Sequence, residues 1–312
     1  MSARAWGTFA AVSVLWGIPY LFIKVAVDDG VPPAFLAWSR VLLAAAVLLV
    51  LAWRAGTLPS ARGKGRWIAA YAVLEISIPF PLIAAGEQDV SSSLAAILIA
   101  TVPLIIALLA MRFDHAERVQ GRRLFGLFVG FGGVVALVGI DVAGRPSELV
   151  GAGLILLAAV GYSAGPMILN RSLTDVDPRA ILGVALGIAA VVLTPFALLD
   201  RPDVAPSGQA LGAVVVLALF CTALAFVMHV SLLREVGPSK AAVITYVAPV
   251  VAVALGVGVL GERPGVGAVA GLLLILAGSW LSTGGRLPPG KPLRLLGFSR
   301  SRVATAPERF RS

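Results

Sequence analysis

Charge is scarce in this sequence of 312 residues: Asp, Glu, Lys and Arg make up 13% of it, against roughly 25% in soluble globular chains. With a hydrophobic fraction of 59% and a mean hydropathy of +0.95, a soluble globular domain is excluded. Cysteine occurs once, as Cys221 inside an apolar run, so neither a disulfide framework nor a Cys-based metal centre can be built. Histidine occurs only as His115 and His229. A His-Glu-x-x-His pair, a P-loop and paired Asp motifs are all missing, which leaves ATP hydrolysis and metal-dependent membrane catalysis without their residues. Neither metal nor cofactor is expected. Gly161-Tyr162-Ser163-Ala164-Gly165 matches the G-x-S-x-G nucleophile elbow, but that motif needs a strand-to-helix turn and a His partner. Here it lies inside a membrane-length apolar run, so an esterase or protease reading is rejected.

What the chain has in abundance is apolar length. Ten stretches of about 20 residues can each cross a hydrocarbon core about 30 Å thick. They run over 5–27, 32–53, 66–86, 90–111, 121–140, 149–170, 179–199, 209–231, 240–261 and 264–283. Only Glu262 and Arg263, followed by Pro264, divide the last two. The first stretch has no small-x-small site after it and is expected to remain as a helix rather than to be cleaved. The net charge of +9 would suggest nucleic acid in a soluble chain, but its placement does not. With the N-terminus inside, 20 of the 25 Lys and Arg residues fall on inner segments or on the C-terminal tail. Outer loops keep only Arg145, Arg201 and Arg263, and Lys24 and Arg40 lie within spans. Both termini are therefore expected in the cytoplasm, with the chain multi-pass in the inner or plasma membrane. The tail 285–312 is rich in Pro, Gly and spaced Arg and is expected to be disordered. It either fixes topology or touches anionic headgroups.

The sequence also reads twice. An offset of 146 lays Tyr162 on Trp16, Pro178 on Pro32, Ser239 on Ser93, Ala241 on Ala95 and Pro249 on Pro103. After a one-residue slip, Glu262 falls on Glu117, Gly271 on Gly126 and Gly278 on Gly133. The expected architecture is an all-α integral membrane protein of ten transmembrane helices. Residues 1–143 would form the first five-helix repeat and 149–284 the second. An odd number of crossings per repeat places the second upside down relative to the first. Loop charge agrees: the basic 54–66 loop corresponds to 200–208, where Asp200 and Asp203 outweigh Arg201.

Trp16–Gly17 followed by Lys24, then Arg40, the Ala-rich fourth span with Pro103, and Glu117 leading into a glycine-rich fifth span resemble the EamA-type branch of the drug/metabolite transporter superfamily. Ala241, Ala242, Pro249, Glu262, Gly271 and Gly278 repeat the later part, so the resemblance covers about 5–284. It implies two inverted repeats, a central cavity, alternating access and export of small metabolites. The chain departs from the pattern where Tyr162 and Ser163 replace a second Trp–Gly/Ala pair and where Leu186 stands opposite Arg40.

Ionisable residues inside a bilayer cost about 2.5–3.5 kcal/mol at a helix centre and are functional candidates by default. Glu75 stands nine residues after Arg66, about 13 Å along the helix and so near the midplane. Tyr71 is one turn before it on the same face. Such a carboxyl takes and releases a proton as its surroundings dry and wet, or else serves as a neutral hydrogen-bonding group between helices. Trp16, Tyr20 and Lys24 form an i, i+4, i+8 stripe suited to a cavity wall, or to packing at Trp16 and snorkelling at Lys24. Arg40 stays charged and needs Glu75, a substrate carboxylate or a structural partner. Tyr162, Tyr246 and Thr101 offer hydrogen bonds, His229 an interfacial group, and Trp38, Trp53 and Trp67 an aromatic belt. Pro103 and Pro249, matched in the repeats, read as hinges or as static bends. Glycines at 126, 130, 132 and 133 and at 267, 271 and 278 permit close helix contact, within the chain or in a homodimer.

The expected function is secondary active transport of small metabolites, amino-acid-like compounds or drugs, coupled to a proton or a counter-transported solute. A carrier of nucleotide-sugar or lipid-linked substrates, a passive channel and a membrane enzyme are the alternatives.

Overall fold

A computed structural model describes residues 2–113, 121–236, 241 and 243–282. Glu117, Ser239, Ala242, His115 and the tail 285–312 lie outside the described residues. Every element is helical. In chain order they are α1 (Ala3–Gly17), α2 (Pro19–Asp28), α3 (Pro33–Arg54), α4 (Gly65–Ala72), α5 (Pro79–Asp89), α6 (Ser92–Ile99) and α7 (Val102–Phe113). The first half ends with α8 (Arg122–Leu137), and the second continues with α9 (Pro146–Ser172), α10 (Pro178–Leu199), α11 (Gly208–Ala218), α12 (Ala225–Val236), α13 (Ile244–Leu260) and α14 (Val266–Ser282).

Local chemistry sets the ends of these helices. Pro33, Pro79, Pro146 and Pro178 open α3, α5, α9 and α10 at the first position, where a missing N–H costs nothing. The side chains of Ser2, Ser91 and Ser207 accept from Ala5 N, Leu94 N and Ala210 N as N-caps. Gly261, at φ 67°, closes α13 in the left-handed conformation.

Several helices are collinear pieces of one long rod. Among the described residues, eight such rods are long and apolar enough to cross a membrane, and α13 and α14 are shorter apolar helices of 17 residues each. The bundle exterior is apolar, with Phe128, Val191 and Leu199 fully presented, as lipid contact demands. The chain is a multi-pass membrane protein.

The two halves repeat helix for helix. A π-helical turn at Val73–Ser77 joins α4 to α5, and one at Leu219–Leu224 joins α11 to α12, at the offset of 146 found in the sequence. The halves dock reciprocally: α3 packs on α10 and α8 on α14, while α9 lies against α5, α6 and α7 as α1 and α2 lie against α11, α12 and α13. Such self-complementary pairing is the mark of a two-fold relation. Small residues let the pairs close. Ala37, Ala44 and Ala45 of α3 are buried against Ala185, Ala189 and Ala190 of α10.

On α8 and α14 the glycines face each other. A Cβ on Gly278 would collide with the backbone of Gly130, and one on Gly133 with the carbonyl of Gly271. Of the glycines open to either use on sequence grounds, those at 126, 130, 133, 267, 271 and 278 make contact inside the chain, whereas Gly132 has open space beside it. Two carboxylates then stitch distant helix starts. Asp141 accepts from Gly267 N (3.2 Å) and Ala268 N (2.5 Å) at the start of α14. Glu262 accepts from Ser92 N (2.8 Å), Ser93 N (3.0 Å) and the Ser93 hydroxyl at the start of α6. Both carboxyl groups sit at the positive end of a helix.

Candidate functional site

The third rod of the first half carries the central carboxyl. Its π turn widens the helix by one residue at Val73–Ser77 and turns Glu75 toward α9. Space for that side chain comes from glycine. A Cβ on Gly165 would overlap the Glu75 carboxyl, and one on Gly161 would meet the carbonyl of Leu74 and the ring of Pro79. The G-x-S-x-G match is therefore a small-residue face receiving a π turn. Its serine donates back to Ala159 O (2.7 Å) and across to Val102 O (3.3 Å), and is no nucleophile. Oε2 of Glu75 is buried without a hydrogen-bond partner among the described residues. Tyr71 and Tyr162 are both within its electrostatic reach.

Arg40 is 8% exposed, in the second rod. Its Nε donates to Thr222 Oγ1 at 2.9 Å, and its guanidinium lies 4.2 Å from the centroid of Phe80. Thr222 belongs to the second π turn, so the two halves meet here: the turn that carries Glu75 in one half carries the arginine's acceptor in the other. The Arg40–Glu75 ion pair that the sequence allowed does not form among the described residues, because Thr222 and Phe80 hold the guanidinium. Tyr162, edge-on to Phe80 at 6.5 Å, is within electrostatic reach of both charges. Snorkelling of Arg40 to the bundle edge is likewise not what the fold does.

Tyr20 and Lys24, both on α2, join this group. Tyr20 is within electrostatic reach of Arg40, Tyr162 and Glu87. Lys24 Nζ donates to the backbone carbonyl of Glu87 (2.9 Å) and pairs with Asp28 (3.0 Å). Lys24 is thus tied to α5 rather than simply reaching for an interface. Trp16 is separated from them. On α1 it faces α12, where its ring lies tilted by 43° against His229 at 4.6 Å and meets Phe226 edge-on at 6.0 Å.

Tyr246 is also apart, its hydroxyl donating to Ser279 O at 3.4 Å. Thr101 donates to Leu98 O (2.6 Å) at a break between α6 and α7. The two prolines differ in setting. Pro103 stands in the first turn of α7, just after that break, whereas Pro249 lies inside α13. Hydroxyls of neighbouring helices satisfy carbonyls at the break, Ser163 reaching Val102 O (3.3 Å) and Ser279 reaching Ala100 O (3.5 Å). Trp53 and Trp67 are exposed at span ends, while Trp38 donates to Thr194 Oγ1 at 3.1 Å between α3 and α10.

Sequence reasoning missed Glu87, Thr222 and Phe80. Glu87 was assigned to the link after a span ending at 86; the helix continues to Asp89 and buries it completely. A polar string results: Asp28, Lys24, Glu87, Tyr20, Arg40, Tyr162, Glu75 and Tyr71, each within reach of the next. It runs through the contact between the halves and holds a cation with a carboxyl to either side.

The family model described as "EamA-like transporter family" matches the chain twice, over residues 5–139 and 149–284. The "Uncharacterized inner membrane transporter YedA" of Escherichia coli (strain K12) is 31% identical over 82% of this chain and 83% of its own length. The "Probable amino-acid metabolite efflux pump" of Salmonella typhimurium is 26% identical over 88% and 93%. A solved crystal structure superposes with a TM-score of 0.64 at 21% identity, covering 91% of this chain and 97% of its own, which bears on the fold alone. The chain is a membrane transporter and belongs to the EamA-like transporter family.

Proposed function

We propose that the protein is a secondary active transporter that exports small amino-acid-like metabolites by alternating access. One observation carries the reading: a string of ionisable groups, with Arg40, Glu87 and Tyr71 buried and Asp28 exposed at one end, lies where two structurally repeated halves meet, with Arg40 at its middle. Arg40 has one protein hydrogen bond, through Nε, among the described residues. Its terminal nitrogens are left for a planar anion such as a carboxylate, which guanidinium binds with two parallel bonds. Glu75, reached through Tyr162, is placed for the ammonium of the same zwitterion or for the proton exchanged against it. The name of the Salmonella relative fits a substrate of this class.

In this reading α13 and α14 also cross the membrane. At 17 residues each they span about 26 Å, at the short end of the usual range. Ten crossings in two inverted repeats follow, with both termini cytoplasmic and the protein in the plasma membrane. A proton moving inward releases about 2.3 kcal/mol per 100 mV, sufficient to drive an appreciable gradient. Nucleotide-sugar or lipid-linked substrates are less well served, since their phosphates need several cations and the string offers Arg40 and Lys24.

The test is uptake and counterflow in proteoliposomes with a panel of radiolabelled amino acids at several imposed pH gradients, with Glu75→Gln alongside the wild type. Saturable, gradient-driven uptake is expected. Full gradient-driven transport by Glu75→Gln would remove Glu75 from coupling, and flux that never saturates would turn the reading into a channel.

A further inference from the structure

Transport as proposed above leaves a second interior carboxyl without a task. Glu87 stands twelve residues after Glu75 on the same rod, beyond Arg40 on the string. Its side chain is 0% exposed, and neither Oε1 nor Oε2 has a hydrogen-bond partner among the described residues. Across the turn into α6, the hydroxyl of Ser92 is also fully buried and unpartnered. The charged groups within reach of Glu87 are Lys24 and Asp28 from α2, Arg40 from α3 and Glu262 from the turn before α14. Tyr20 reaches it from α2 as well. On the other side of α5, α9 brings Gly151 and Ile155 against Gly86.

An ionised carboxylate so placed is costly unless a partner compensates it. Glu262 is committed to the start of α6, and Arg40 is held at Nε by Thr222 and over Phe80, its terminal nitrogens assigned above to the substrate. Among the described residues near Glu87, Lys24 is the cation left with a choice. It is held by the backbone carbonyl of Glu87 rather than by its carboxyl, and by Asp28, whose side chain is 57% exposed. This is the arrangement of a neutral Glu87 with its counter-cation parked one step away.

We propose that Glu87 is a proton-binding site, loaded and unloaded through the Asp28 end of the bundle, with Lys24 as the positioning residue that exchanges between Asp28 and Glu87. In the packed state the carboxyl keeps its proton. When that end wets, the Glu87 O–H bond breaks and the proton passes to water. Lys24 Nζ then moves from Asp28 to the new carboxylate, and no other bond changes. A metal cation suits the place poorly, since it would share three oxygens with an ammonium. The proton site itself stands on this geometry; its use in coupling rests on the transport reading.

Infrared difference spectra of the full-length protein in lipid, between neutral and alkaline buffer, read the proton directly. A protonated-carboxyl C=O band lost at alkaline pH is expected in wild type, to vanish in Glu87→Gln and to persist in Glu75→Gln. Lys24→Met is expected to move the pH at which it is lost, and replacing sodium by choline to leave it unchanged. A band identical in Glu87→Gln and wild type, or one that follows sodium rather than pH, overturns the proposal. In proteoliposomes, Glu87→Gln is expected to keep amino-acid counterflow and lose pH-gradient-driven accumulation. Loss of both in protein that remains monodisperse would make Glu87 structural and overturn its role. If the wild type carries no panel member, the transport reading falls and the infrared band alone decides the proton site.

Discussion

Arg40 illustrates how little a single side chain says before its neighbours are known. Stacking on an aromatic face when desolvated contributes about 2 kcal/mol, and a hydrogen bond to a charged group about 1.5–3 kcal/mol. Lysine reproduces the charge but neither the plane nor the fork. Arg40→Lys is therefore expected to raise the KM for amino-acid transport by tenfold or more, while Arg40→Ala abolishes it; transport kinetics on equal amounts of reconstituted protein decide. At the membrane surface a smaller effect is expected. Lys64 Nζ donates to Asp175 Oδ1 at 2.7 Å, and that hydrogen bond holds the Asp175 carboxyl below its ordinary value. Its contribution to stability is thus present above the unfolded-state value and lost as pH falls through the depressed one. Melting of Lys64→Met across acidic pH should show a smaller loss than wild type, by an amount limited by solvent screening.

At the scale of elements, glycines do two different jobs. At Gly165 an added methyl meets the end of a movable side chain, the Glu75 carboxyl. Gly165→Ala should leave the melting temperature nearly unchanged and impair pH-gradient-driven transport by displacing Glu75. At Gly278 the methyl meets the backbone of Gly130, which cannot step aside. Gly278→Ala should cost about 1–3 kcal/mol as overpacking does, visible as a lower melting temperature in detergent. Gly153→Ala, with nothing within 4 Å of the new atom, serves as the neutral or slightly stabilised control. Helix starts are equally specific. Glu262→Ala removes three hydrogen bonds from the start of α6, on the order of 1–2 kcal/mol for a lost cap, and the same measurement reads it.

For the molecule as a whole, the reciprocal docking of the halves predicts opposite orientation of equivalent loops. The single cysteine makes this directly measurable, because Cys221→Ala leaves a cysteine-free chain. On that background a membrane-impermeant maleimide should label Arg201→Cys in intact cells and Arg62→Cys only after permeabilisation. Labelling of both from one side would refute the inverted arrangement. Transport then has a physical frame: α3 against α10 and α8 against α14 bury small residues and allow close, stiff contact. The π turns and the break before Pro103 interrupt the rods that bear Glu75, Thr222 and Thr101.

The positions of the eight longer spans, the doubling and the interruption by proline were legible in composition and periodicity, because apolar length and repeated spacing are properties of the chain itself. Glu75 stood out as well, as the one acidic residue in its apolar run; what it does is a matter for the transport test. Glu87 was not, since a helix end three residues further on decides whether it is solvated or buried. The cap formed by Glu262 spans 170 residues of sequence, and the acceptor of Arg40 comes from the other half, so no local pattern announces either. Sequence by itself determined that this protein crosses a membrane as two related halves and where its rods lie. Only the tertiary structure decided which of its few charges share one interior, because burial and partnership depend on what the opposite half brings against them.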